Sequence, residues 1–165
     1  MTTAPVPAAL ARQLAELAEL AELAELADRV AILDVVAAYA TALDTRTWAA
    51  LDGLFTDDAV CTYGGSVGDL TGQNAIIKSL RAVLEPLDAT QHQVTNSVVR
   101  VHGDTAEHTA YVHAQHVRHG VPGGELYTIG ARYDDQLRRT PEGWRFTRRE
   151  LTRMWTDGNR GVLHP

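Results

Sequence analysis

The second half of the chain is written in four long β-rich runs: HQVTNSVVRVHGD, TAEHTAYVHAQHVRHG, ELYTIGARYDDQLRR and GWRFTRRELTRMW. The turn signals HGD, GVPGG and TPEG separate them, the last with Pro and Gly where a type I turn prefers them. Segments this long and this tightly joined pair with their chain neighbours as an antiparallel meander. Such a sheet has one face to cover, and the first half of the chain must supply the cover. DRVAILDVVAAYATAL reads as a helix with Asp28 as its N-cap and Leu33, Val36, Ala37, Ala40 and Leu43 on one face. Thr47 can cap a short second helix, WAALDGLF, followed by TDDAV and the strand-like VCTYGG. Residues 72–85, GQNAIIKSLRAVLE, read as a third helix stopped by Pro86. The predicted fold is α+β: a cone-shaped, curved, mixed or antiparallel β-sheet with three helices on its concave side.

The N-terminus adds a helical extension to that plan. Residues 1–13 open on a Pro-containing stretch expected to be disordered, and LAELAELAELAELAD over 14–28 repeats every three residues. Ala, Leu and Glu favour helix, but a period of three drifts about 60° per repeat, so the leucines wind around the helix. The expected organisation is an extension over 1–27, one α+β domain over 28–155 and a tail over 156–165. The 165 residues suffice for a single domain with a real core. A net charge of −6 argues against a nucleic-acid surface. The lone cysteine, Cys61, requires no oxidising compartment. With neither a long apolar span nor a secretory pattern, no membrane association is expected and the location is expected to be cytoplasmic.

Asp44, in YATALDTRTW, falls in or just beyond the last turn of the long helix, where the macrodipole disfavours a carboxylate. Either it is a solvated loop residue or a cation is held beside it. Strand parity sorts the histidine-rich run HTAYVHAQHVRHG. Ala106, Ala110, Val112, Ala114 and His116 share one phase, and Tyr111, His113 and Gln115 the other. The small apolar phase suits the face under the helices, which puts His116 in the cavity and leaves His108 structural or at the rim. Steps of three on a strand alternate faces, so no metal site is expected from His113, His116 and His119. No phosphate-binding loop, dinucleotide fingerprint, serine elbow or cysteine pair is present, and no cofactor is expected.

The stretches DRVAILDVVAAYATALDTRTWAALDGLFTDDAV, TQHQVTN and GARYDDQLRRTPEGWRFTRREL together resemble the SnoaL-like branch of the nuclear-transport-factor-2-like superfamily, over roughly residues 28–155. Within that branch the chain is most similar to acid–base lyases such as bile-acid 7α-dehydratase, hexachlorocyclohexane dehydrochlorinase and scytalone dehydratase. The resemblance implies a catalytic pair of Asp44 and His92. Paired with Asp44, His92 would act as a general base, the carboxylate fixing its tautomer. A capping aspartate and a satisfied sheet histidine form the plainer reading.

Tyr39 matches a tyrosine of the bile-acid enzyme, and Tyr63 a substrate-contacting one of scytalone dehydratase. Either hydroxyl could serve an oxygen on which charge develops, or its ring could simply pack. The same comparison implies substrate contacts for His116 and brings in Tyr133, which departs from a pocket asparagine. Arg132 joins them, as do Met154 and Trp155 as pocket-closing or core residues. Arg148, Arg149 and Arg153 supply further cations that could meet a carboxylate or enolate, solvation being the commoner fate. The activity implied is a cofactor-independent dehydratase, cyclase or isomerase. Its substrate would be a hydrophobic, carbonyl-bearing, polycyclic or polyketide-like small molecule, and its assembly a homodimer or homotrimer. The alternative is a non-catalytic ligand-binding or scaffold subunit, like the β subunit of a ring-hydroxylating dioxygenase.

Overall fold

The structure, a computed structural model, describes residues 7–64 and 69–163. One helix, α1 (Ala8–Thr45), runs through both the LAE repeat and the amphipathic segment. At about 1.5 Å per residue its 38 residues span about 57 Å. Asp28 is therefore not an N-cap. Good helix formers flank it without Pro or Gly, so the helix propagates through. The Asp28 carboxylate instead receives Arg139 and the Trp144 indole N–H, tying α1 to the sheet. Residues 8–13, expected to be disordered, are its first turns, while residues 1–6 lie outside the described residues.

The buried face of α1 is Ile32, Val36, Tyr39, Ala40 and Leu43. The helix is rotated from the sequence expectation, leaving Leu33 and Ala37 exposed. The reason is mass: Ile32 and Tyr39 bury more apolar surface than Leu33 and Ala37 do. The expected second helix is only a 3-10 turn, Trp48–Leu51, ended before Gly53 at φ 84°. Two α-helices thus replace the three expected, the other being α2 (Gln73–Leu84).

The strands are β1 (Phe55–Thr62), β2 (Asp69–Thr71), β3 (Ala89–His102), β4 (Thr105–Val117), β5 (Leu126–Thr140) and β6 (Gly143–Gly158). Their order is β2-β1-β6-β5-β4-β3, antiparallel except for the parallel β1–β6 pair. The sheet is mixed and open, with β2 and β3 at its edges. On β4 the alternation is regular: Ala106, His108, Ala110, Val112, Ala114 and His116 are buried and their neighbours are not.

The last strand is less regular. Opposite β5 it skips a residue twice, passing from Phe146 to Arg148 and from Arg153 to Trp155. Each skip is a bulge, and each exchanges the faces of the residues beyond it. Trp144 and Phe146 point inward; past the first bulge Arg149, Leu151 and Arg153 do; past the second, Trp155 points out. A 3-10 turn, Arg160–Leu163, then folds back with Val162 buried. The segment expected to be a tail thus contributes to the core.

Candidate active site

Between α1, α2 and the sheet lies a cavity of about 360 Å³. Its apolar lining includes Leu43, Leu80, Val83, Val112, Ile129 and Leu151; its polar lining includes Tyr39, Tyr63, His92, His116, Tyr133, Arg153 and Arg160. Behind one wall, at the C-terminal end of α1, Asp44 meets β3. His92 Nδ1 donates to Asp44 Oδ1 at 2.7 Å, and the His92 backbone N–H donates to Asp44 Oδ2 at 2.9 Å. Both carboxylate oxygens are thus held by one residue. That fixes the proton on Nδ1 and leaves Nε2 with its lone pair on the side of the cavity.

The helix end itself is satisfied by Arg46, in the left-handed conformation at φ 58°. Its guanidinium donates to the carbonyls of Leu43, Asp44 and Leu87. Asp44 is therefore free to serve the histidine because Arg46 supplies the cation that the helix dipole favours.

The His116 ring stands edge-on to His92, with centroids 5.9 Å apart. Its Nδ1 donates to the Tyr127 carbonyl at 3.2 Å, so Nε2 is an acceptor. Burial pushes its pKa down to about 4, and the neighbouring His92 adds to the effect. His116 is therefore neutral at pH 7. The shift has a consequence for stability. The unfolded chain protonates this imidazole near pH 6.5 and the folded one only near 4, so stability falls as pH drops through that window. Between pH 6.5 and 5 the contribution is about 2 kcal/mol. Urea unfolding at pH 7 and pH 5 should show wild type losing about that much more than His116→Gln. Equal losses would mean the buried ring is not held neutral.

On the opposite wall the Tyr39 and Tyr63 hydroxyls are 3.1 Å apart. Burial raises the pKa of both, so both are protonated donors at pH 7. One O–H is used within the pair and the other is left for a guest. Tyr133, its pKa also raised by burial, stacks edge-on against Tyr39 with centroids 6.3 Å apart.

Beneath these rings lies Arg149, completely buried. Its guanidinium carbon sits 4.2 Å from the Tyr39 ring centroid, 4.1 Å from Tyr133 and 4.2 Å from Phe146. It donates twice to Asp135, at 2.7 Å each. Asp135 also accepts His108 Nδ1 at 2.8 Å, and His108 Nε2 meets Ser97 Oγ at 3.1 Å. Burial disfavours both charges, but the pair outweighs it: Asp135 is held below its ordinary range and Arg149 above its own. Cys61, behind this layer, is pushed up to about 11 by burial and is inert as a nucleophile.

Three candidates lie elsewhere. Arg132 is on the outer face, paired with Asp134 at 2.9 Å, because it has the opposite phase to Tyr133. Met154 and Trp155 are exposed and line no part of the cavity: Met154 is the residue that the second bulge of β6 leaves unpaired, and the bulge turns Trp155 outward. Trp155 covers Gly130 and packs on His113. Two arginines have roles that the sequence does not indicate. Arg149, named from the sequence with Arg148 and Arg153 as a cation for a substrate carboxylate or enolate, instead pairs with the buried Asp135, and Arg160 lies in the segment expected to be a tail. Among the described residues no cluster of three metal-ligating side chains occurs, and no helix is long and apolar enough to cross a membrane.

A family model described as a SnoaL-like domain matches residues 24–150. The uncharacterized protein Rv2910c of Mycobacterium tuberculosis is 36% identical over 129 residues, covering 78% of this chain and 86% of its own. A protein from Novosphingobium aromaticivorans proposed to be an aromatic ring hydroxylase superposes with a TM-score of 0.73 at 34% identity, over 84% of this chain and 97% of that one. A hexachlorocyclohexane dehydrochlorinase, LinA type 2, superposes with a TM-score of 0.75 at 25% identity, over 87% and 97%.

Proposed function

Because this chain belongs to the SnoaL-like domain family of the nuclear-transport-factor-2-like superfamily, we propose that it is a general acid–base enzyme. In this reading it removes a proton next to a carbonyl of a hydrophobic small molecule. The observation that carries the proposal is His92, locked by Asp44 into one tautomer at the wall of a largely apolar cavity. His92 Nε2 takes the proton from the carbon beside the carbonyl. The electron pair moves to the carbonyl oxygen, where a Tyr39 or Tyr63 O–H stabilises it. The imidazolium is balanced by Asp44. For a substrate with a β-hydroxyl, the carbonyl re-forms as the C–O bond breaks, and His92 returns its proton to the departing oxygen as water.

His116, neutral and with Nε2 free, suits an acceptor that orients the leaving hydroxyl rather than a proton donor. The hexachlorocyclohexane dehydrochlorinase named above supports elimination chemistry on this fold. Double-bond migration and ring closure begin with the same proton transfer.

The test therefore reads that first step. The protein is incubated in deuterated buffer with a panel of bicyclic β-hydroxy ketones, and NMR follows exchange beside the carbonyl and loss of water. Wild type should exchange at least one member, and His92→Ala should fall to the buffer rate with an unchanged circular dichroism spectrum. Exchange by His92→Ala at the wild-type rate, or none with any ketone, would favour the ligand-binding or scaffold alternative.

A further inference from the structure

Among the described residues, the charged side chains in the cavity lining are Arg153 and Arg160, and no lining side chain is acidic. Their neighbours on β5 and β6 show how unusual this is. Arg132, Arg138, Arg139, Arg145, Arg148 and Arg149 each lie within 4.0 Å of a carboxylate. Arg153, on the same pair of strands, has no such partner among the described residues, nor does Arg160. In a chain of net charge −6 acidic partners are plentiful, so two unpaired cations at one apolar opening form a distinct electrostatic feature. Asp44 is not part of the lining, and the Arg46 guanidinium lies beside it at the end of α1.

Each arginine is placed by backbone structure rather than by chance exposure. The first bulge of β6 gives Arg153 the inward phase shared with Arg149 and Leu151, and the second bulge ends that phase immediately beyond it. Arg160 opens a 3-10 turn that Asn159 locks. The Asn159 side chain donates to the carbonyls of Pro122 and Gly124 and accepts the Gly161 N–H at 3.0 Å. Leu163 of the same turn faces the cavity. Both arginines are exposed, so they mark the mouth rather than the floor.

Resting on the reading of this cavity as a substrate site, we propose that the substrate carries an anionic group, carboxylate or phosphate, which Arg153 and Arg160 hold at the mouth while its apolar body enters. The volume of about 360 Å³ is near the lower end for small-molecule sites. Burying an unpaired anion among the apolar side chains is costly, so the charge stays at the rim. Arginine suits that role, presenting paired donors to planar carboxylates and to phosphates.

The test uses 2-naphthoate, 2-naphthamide and 2-naphthyl phosphate in isothermal titrations of the full chain at low and high salt. Wild type should bind at least one of the two anions about tenfold more tightly than the amide, with the preference shrinking at high salt. The ratio of the two anions identifies which group the site takes. Arg153→Ala/Arg160→Ala should bind all three probes alike, its amide affinity retained. Equal affinity for acid, phosphate and amide in wild type, no binding of any probe, or a preference that survives in the double variant would overturn the proposal. His92→Ala should keep the preference. A failed exchange assay with a retained preference therefore rejects the chemistry alone, and the reverse result rejects the anion site alone.

Discussion

Asp44→Asn is expected to lower turnover by about 10³- to 10⁴-fold while leaving the fold intact, the scale seen when an aspartate that orients a catalytic histidine loses its charge. The geometry says why so small a change costs so much. The His92 backbone N–H requires an acceptor at 2.9 Å, so the asparagine oxygen must take the place of Oδ2. The amide nitrogen then faces His92 Nδ1, where a carboxylate oxygen now accepts at 2.7 Å. A donor in that position drives the ring to the other tautomer, with its proton on Nε2, and the base is lost. The compensating negative charge for the imidazolium disappears with it. Initial rates on a ketone that passes the exchange screen, alongside circular dichroism, check this. Activity within tenfold of wild type would mean that His92 does not depend on Asp44.

The largest expected effect on stability belongs to Arg149. Replacing it by Met leaves the Asp135 carboxylate fully buried with only His108 to answer it. Breaking a buried pair from one side costs about 3–5 kcal/mol, and the stacking of the guanidinium on Tyr39, Tyr133 and Phe146 is lost as well. At about 2–4 °C per kcal/mol for a chain of this size, the melting temperature should fall by roughly 10 °C or more. Arg149→Met/Asp135→Leu, which removes both charges, should recover much of the loss, since an apolar replacement of a buried pair is often neutral. Thermal unfolding of both variants decides it. A single variant as stable as wild type, or a double variant no better than the single, would show that the charges are not coupled.

Arg149 also shows where sequence reading stops. Alternation from Trp144 and Phe146 assigns the inward phase to Arg148, and only the bulge after Phe146 transfers it to Arg149. Arg148 becomes the partly exposed partner of Glu150 instead. Met154 and Trp155, which the family resemblance placed at the pocket, stand at the second bulge and are exposed. On β4, where no bulge interrupts the inward residues from Ala106 to His116, parity alone places each of them correctly. The rotation of α1 was likewise a matter of which side chains bury most, and the sequence offered two overlapping faces. The second helix failed on a local count: Gly53 leaves too few residues after Thr47 for more than one 3-10 turn.

By itself, then, the chain determined its class and strand rhythm, because apolar alternation and turn chemistry act over a few residues and are written in order. It also marked Asp44 as an anomaly, since a carboxylate at a helix end is a local electrostatic fact. Tertiary structure alone decided which arginine is entombed beneath the tyrosines and which two stand at the cavity mouth. Those outcomes turn on single-residue bulges and on a turn locked from a distant loop. Their energies come from contacts between segments far apart in the chain, and no local pattern encodes such contacts.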